Sequence, residues 1–278
     1  MTAPPWRLIR SEFRSGAENM AVDEALLETV ARGLSGPVLR LYRWAPPTVT
    51  LGYSQRGEEV VNLEACRDLG LAVVRRCTGG RAVLHDREVT YAVISPERSA
   101  VFPGGILENY KVIAGVLRRT LELSGLAAEM APGRSHGAGG EGVQQSACFT
   151  APSSYELVCR GCKVTGSAQK RHGSAFLQHG SIPVEMDLER LFLALDTRRH
   201  TSAAVGGRLL GRSIGWMNRW LERPVTVSDV EDRLVAACAE VWGIRYIESG
   251  LTAAEEARAA VLLKEKYADL SWNLKGIG

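Results

Sequence analysis

The stretch LAVVRRCTGGRAVLHDREVTYAVISP, residues 71–96, decides the fold. Leu71 to Arg76, Ala82 to Leu84 and Val89 to Ile94 are short apolar runs, punctuated by Gly79-Gly80 and Ser95-Pro96. Short runs rich in β-branched residues and bounded by Gly or Pro read as strands. Three strands in succession, with no helix between them, break a regular βαβ alternation and point to a mixed sheet.

The flanks supply the helices. Ser15-Gly-Ala-Glu18 reads as a capping box opening a helix to about Arg32, with Gly33 as its stop. Val38 to Trp44 and Thr48 to Tyr53 read as strands around Pro46-Pro47, and Glu58 to Leu69 as a helix ended by Gly70. Ile106 to Ser124 carries a helical apolar stripe at Val112, Val116, Leu117, Thr120 and Leu121. Tyr155 to Cys159 and Cys162 to Ser167 read as paired strands across an Arg160-Gly161 turn, followed by a strand over Ala175 to Ile182 and a helix over Asp187 to Leu195. Ser228-x-x-Glu231 and Thr252-x-x-Glu255 are expected to cap two further helices. The expected fold is α+β, a mixed sheet flanked by helices. With no repeat and no linker, 1–278 is expected to be one domain. A mobile Gly-rich loop is expected at about 132–147, since Pro132 to Gly142 holds five glycines in eleven residues.

Composition excludes several classes. The 278 residues are 45% apolar with a net charge of +3, too apolar and balanced for a disordered chain and too weakly basic for a dedicated nucleic-acid binder. Asp23 and Glu24 interrupt the first apolar stretch, and no run of 18 apolar residues occurs, so no signal peptide, membrane span or membrane partner is expected. The six cysteines, 66, 77, 148, 159, 162 and 238, are dispersed as in a cytoplasmic protein with reduced thiols.

Three segments could carry chemistry. In Arg75 to Asp86, Gly79-Gly80 lets backbone N–H groups approach a ligand oxygen, and Arg75, Arg76 and Arg81 place three cations around the turn. The segment is either a cradle for a carbonyl or anion, or a hairpin with solvated arginines. In Gln144 to Thr150, Cys148 follows the glycine loop; it is either a nucleophile or a small apolar residue re-entering the core. In Cys162 to Arg171, Lys163 could steady a thiolate or move a proton, and Gly166-Ser167-Ala168 offers small residues for a substrate to lie against. The alternative for Lys163 is an outward-facing strand lysine. Cys159-x-x-Cys162 has no second ligand pair and the histidines do not cluster, so no metal site is expected. Asp23 falls within the apolar arc of the first helix and is expected to be a first-turn acid favoured by the helix dipole, rather than a carboxylate pointing toward a site.

Taken together, Arg75 to Asp86 with Glu88-Val-Thr-Tyr91, Ala147-Cys-Phe149, Ser154-Tyr-Glu156, Gly161-Cys-Lys163 and Gly166-Ser-Ala-Gln169 to Leu177-Gln-His-Gly180 resemble the lipoate-protein ligase and octanoyltransferase superfamily. The likeness runs from about Pro5 to Trp272 and is strongest to octanoyltransferases of the LipM type. The resemblance implies a biotin/lipoate protein ligase-like catalytic domain. It implies transfer of an octanoyl group from octanoyl-acyl carrier protein to a lysine of a lipoyl-domain protein such as glycine cleavage H protein, without ATP or a metal. By resemblance Cys148 is the nucleophile and Lys163 the active-site lysine. The acyl-binding set is Arg75, Arg76, Thr78, Gly79, Gly80, Arg81 and His85, with Gly166, Ser167 and Ala168. An acyl tunnel is expected among Val83, Val93, Val164 and Phe176. The alternatives are an ATP-dependent lipoate-protein ligase, an amidotransferase between lipoyl-domain proteins, and a non-catalytic lipoyl-domain binder. The ligases usually carry a third Gly where this chain has Arg81 and often a C-terminal domain that this chain has no room for.

Overall fold

The computed structural model describes residues 5–131, 156–197 and 201–275. Its main sheet has six strands in the order β10-β11-β6-β2-β1-β12: β1 (Trp6–Arg14), β2 (Val38–Trp44), β6 (Glu88–Pro96), β10 (Gly166–His172), β11 (Ala175–Pro183) and β12 (Tyr246–Glu248). Pairing is antiparallel from β10 through β2 and parallel from β2 through β12, so the sheet is mixed as expected. Strand alternation sends Leu39, Leu41, Val89, Tyr91 and Val93 to one face, under the helices Ile106–Leu123 and Val227–Trp242. The opposite face packs Val38, Tyr42, Ala92 and Ile94 against α1 (Gly16–Ala31) and the helix Ala253–Leu262.

A second sheet, β4-β3-β5, comes from β3 (Thr48–Leu51), β4 (Ala72–Arg75) and β5 (Val83–His85). It has its own core with the helices Leu188–Leu195 and Ala203–Leu210. A third sheet joins β7 (Glu129–Met130), β8 (Leu157–Cys159) and β9 (Cys162–Lys163).

The Ser15–Glu18 and Thr252–Glu255 capping boxes are formed. Arg160 and Gly161 take φ of 49° and 77°, the left-handed pair of a two-residue hairpin turn. Other local expectations shift. The 58–69 helix divides into Gly57–Val60 and Leu63–Asp68, because the Asn62 side chain caps the N–H of Ala65 and starts a new helix. The box expected at Ser228 and Glu231 forms at Thr226 and Asp229, which frees Glu231 to pair with Arg43. The strand expected from Cys162 to Ser167 breaks after Lys163, whose N–H bonds to Ser213, and resumes as β10.

Candidate active site

A cleft of about 360 Å³ opens where α1 and the two larger sheets converge. Met20, Trp44 and Val83 give it apolar wall, and Thr50, Arg76, His85, Thr90 and His179 give it polar groups. Gly166, Ser167 and Ala168 line the β10 side of the cleft. Of the expected tunnel residues only Val83 faces this cleft. Val93, Val164 and Phe176 lie in the core beneath the Ile106–Leu123 helix; strand periodicity sends Val93 and Phe176 to that face, and Val164 reaches it from the break between β9 and β10.

Arg75 and Arg76 are turned inward onto carbonyl groups. Arg75 is fully buried and donates to the carbonyls of Gly52 and Tyr53 (2.8 Å each), Trp272 (2.7 Å) and Asn273 (3.3 Å), tying the C-terminal segment to β4. Arg76 donates to the Thr50 carbonyl and hydroxyl and to the carbonyls of Gly79 and Arg81, both at 2.8 Å, which closes the loop on itself. Carbonyls take up the donors of these guanidinium forks, so both residues brace the loop, and the expectation of solvated arginines fails for them. Gly79 and Gly80 stay exposed, and Gly80 has a φ of 93° that favours glycine. Gly52 packs on the Gly80 carbonyl so closely that a Cβ would collide with it.

Two imidazoles face the cleft, each held at both ring nitrogens. His85 Nδ1 meets the Glu88 carboxylate at 2.6 Å and its Nε2 meets the Thr50 hydroxyl at 2.9 Å, while the ring stacks on Trp44 at 4.3 Å. His179 Nδ1 meets Asp23 Oδ2 at 2.9 Å and its Nε2 meets the Thr78 hydroxyl at 2.7 Å. Asp23 also accepts from Arg40 Nη1 at 2.6 Å and from the Tyr42 hydroxyl at 2.9 Å. This corrects the expectation of a first-turn acid: Asp23 is buried one turn further on and braces α1 to β2 and β11. Sequence reasoning missed His179, Arg40 and Thr50 as parts of the site. The available signal was a charged pair, Asp23 and Arg40, each at an apolar position of its own element.

Burial pushes Asp23 towards its neutral form, but the Arg40 guanidinium and His179 overcome it and hold the carboxyl below its usual range. Burial lowers His179, with Asp23 opposing only in part. Unfolded histidine takes up a proton near about pH 6.5 and folded His179 only at lower pH, so stability rises with pH through that window. The Asp23 contribution is complete above the unfolded carboxylate value and is lost as pH falls through the folded one. Both act in one direction, so Tm is expected to fall as pH drops from about 7 to about 4. A Tm that stays level across that range would contradict this reading of the cluster.

Lys163 is not an outward-facing lysine. Its side chain is 2% exposed and pairs with Glu156 at 2.5 Å. Ser167 is held by the Tyr91 hydroxyl at 2.7 Å, and its carbonyl accepts from the Tyr110 hydroxyl at 2.7 Å. Cys148 and the glycine-rich stretch 132–147 lie outside the described residues. The described cysteines are all buried free thiols. Burial pushes the thiols of Cys66 and Cys77 up to about 11 and that of Cys238 up to about 12, which suits packing rather than nucleophilic attack. Among the described residues no group of three His, Cys, Asp or Glu could hold a metal ion, and no helix is long and apolar enough to cross a membrane.

Gly180 lies where β11 passes β10, and a Cβ there would strike the Gly166 carbonyl and crowd the hydroxyls of Tyr91 and Ser167. Gly180→Ala is expected to cost about 1–3 kcal/mol by overpacking and to narrow the cleft. Denaturant unfolding and octanoyl-transfer assays on the variant would check it, and wild-type values in both would contradict it.

Comparison with known proteins agrees with this architecture. Residues 15–239 match the family described as the lipoyl protein ligase A/B catalytic domain. Octanoyltransferase LipM of Moorella thermoacetica is 40% identical over 98% of this chain and 98% of its own length. Octanoyltransferase LipM of Kyrpidia tusciae is 42% identical over 97% of this chain and 98% of its own length. Among solved structures, the bi-partite lipoate protein ligase of an archaeal lipoylation system from Thermoplasma acidophilum, studied with its E2 lipoyl domain, shares the fold. It has a TM-score of 0.81 at 23% identity, covering 99% of this chain and 98% of that one. The chain therefore belongs to the lipoyl protein ligase A/B catalytic domain family, among its octanoyltransferases of the LipM type.

Proposed function

We propose that this chain is an acyltransferase of lipoate biosynthesis that moves an octanoyl group from octanoyl-acyl carrier protein to a lysine of a lipoyl-domain protein, such as glycine cleavage H protein. The observation that carries the reading is the likeness, at about 40% identity over nearly the whole of both chains, to proteins named octanoyltransferase. The cleft, with its apolar walls and polar floor, suits a thioester carbonyl attached to an aliphatic chain.

In this reading the Cys148 thiol gives up its proton, its thiolate attacks the thioester carbonyl, a new C–S bond forms, and the bond to the carrier breaks as the carrier thiolate leaves and takes up that proton. One thioester replaces another, so no ATP is needed and no metal is required. The acceptor lysine, as the free amine, then attacks the acyl-enzyme, an amide C–N bond forms, the C–S bond breaks, and Cys148 leaves as a thiolate that takes up the proton the amine loses. Backbone N–H groups at Gly79 and Gly80 are the candidates to hold the oxyanion. The Lys163 ammonium, anchored by Glu156, is the candidate cation for the Cys148 thiolate.

Incubation with octanoyl-acyl carrier protein alone, followed by intact mass spectrometry, is expected to find one octanoyl group on Cys148. Addition of apo H protein is expected to complete transfer without ATP. A strict ATP requirement would make the chain a ligase. Acylation only by an octanoylated lipoyl-domain protein would make it an amidotransferase. Binding of the lipoyl domain with no transfer at all would leave it a binder.

A further inference from the structure

We propose that Arg219 is a positioning residue for the reaction: by bracing the segment from Gly211 to Gly215 it fixes the backbone that carries Lys163. This rests on the acyl-transfer reading above and on the part given there to Lys163.

Lys163 has little strand of its own to hold it. β9 is two residues long, and the chain leaves the ladder directly after Lys163. On one side Val158 of β8 lies opposite it. On the other side is an irregular segment. The Lys163 N–H donates to the Ser213 carbonyl at 2.8 Å, and the Gly215 N–H donates to the Lys163 carbonyl at 2.9 Å. The result is an isolated parallel bridge between Lys163 and Ile214. The main-chain donor and acceptor of Lys163 are therefore both held by residues 213–215.

Irregular backbone keeps a fixed place only when something braces it. Arg219 Nη1 donates to the carbonyls of Gly211 and Ile214 at 2.7 Å each, so one guanidinium ties together the two ends of the segment. The same nitrogen stands 3.7 Å from the sulfur of Cys162, the residue before Lys163. Bonds from an ionised donor are stronger than neutral ones. The guanidinium carbon lies 5.1 Å from the ring centroids of both Trp216 and Trp220, within the range of cation–π attraction. Trp220 closes on the segment in turn: a Cβ at Gly215 would strike its ring and Val164, the residue after Lys163. The base of the brace is anchored as well. The Asn218 N–H donates to the Val184 carbonyl, and its side chain donates to Glu185 and to the Val225 carbonyl.

The consequence falls on the lysine nitrogen. Lys163 Nζ meets Glu156 at 2.5 Å at the end of a four-carbon stem, so a shift of the backbone moves the nitrogen with it. Misplacing a reacting group by about 1 Å can cost about 10²-fold in rate. Arg219 itself is exposed and does not line the cleft, so it acts through the Lys163 backbone and not on the octanoyl chain. Its exposure also means that its removal leaves the core intact.

Two measurements on the full chain test this. In Arg219→Ala, hydrogen exchange at the Lys163 and Gly215 amides is expected to speed up by about 10-fold or more, with exchange in the main sheet unchanged. In the same variant, kcat for acylation by octanoyl-acyl carrier protein is expected to fall by about 5- to 20-fold, with KM within about twofold of wild type. Arg219→Lys is expected to lie between the two, since an ammonium keeps the charge and the donors but lacks the planar face set against two indoles. Gly215→Ala is expected to reproduce both effects by a different contact. Unchanged exchange at Lys163 would overturn the proposal. So would faster exchange with an unchanged kcat. A raised KM with normal kcat would overturn it too and make Arg219 a contact for the carrier protein. Failure of the underlying reading looks different: Lys163→Ala acylating at the wild-type rate would take Lys163 out of the reaction, and a wild-type protein that forms no acyl adduct would overturn acyl transfer itself.

Discussion

Cys148→Ala is expected to remove the octanoyl adduct and protein octanoylation together, with kcat falling on the order of 10⁴-fold or more, as is usual when a covalent nucleophile is deleted. The physical reason is the acyl-enzyme itself. Without it, carrier protein and lipoyl domain must meet at one carbonyl at the same moment, and an amine must displace a thiol directly. The described cysteines offer no replacement, because each is buried and none faces the cleft. Intact mass spectrometry and a single-turnover transfer assay measure both quantities. A variant that still transfers at more than a few per cent of the wild-type rate would rule out the ping-pong route and leave direct transfer.

Lys163→Met is expected to cost about 3–5 kcal/mol of stability as well as slowing acylation, because it takes the cation away from a buried carboxylate. Glu156 and Lys163 are both almost fully enclosed, and strand β9 positions one against the other. Glu156→Gln is expected to cost a comparable amount from the other side. The double variant Lys163→Met/Glu156→Leu is expected to regain much of the lost stability, since an apolar pair can replace a buried ion pair at little net cost. It is not expected to regain activity, since it provides no cation for the thiolate. Urea unfolding combined with the rate of acylation by octanoyl-acyl carrier protein resolves the two effects. A double variant that acylates normally would remove Lys163 from the chemistry and leave it a structural partner of Glu156.

Most of the elements were legible because they depend on local signals. The Ser15 and Thr252 capping boxes, the glycine stops after α1 and at Gly70, and the Arg160-Gly161 turn each follow from side chains within a few residues. The errors were local as well. Two hydroxyl residues two positions apart, Thr226 and Ser228, could each start a helix, and only the burial of Glu231 beside Arg43 selects the first. Strand β1 was not foreseen. Its sequence, WRLIRSEFR, alternates weakly, and its identity comes from lying between β2 and β12 in a parallel arrangement that spacing along the chain does not reveal.

The candidate site divides in the same way. Motif order and residue type mark out Arg75 to Asp86, Lys163 and Gly166 to Ala168, since a glycine turn, a strand lysine and a run of small residues are visible one segment at a time. Long-range contacts alone turn Arg75 and Arg76 inward onto carbonyls, bury Lys163 against Glu156, and bring Asp23, Arg40, Thr78 and His179 together across α1, β2, the glycine loop and β11.

The sequence by itself therefore determined the family and the mixed α+β class, through short strands, capped helices and an ordered series of motifs. It also determined which residue types the chemistry has available. Only the tertiary structure decided which charges are buried and which face the cleft. A charge at an apolar position of a helix or strand acquires its role from the partner that neutralises it, and for Asp23 that partner lies 17 residues away at Arg40 and 156 residues away at His179.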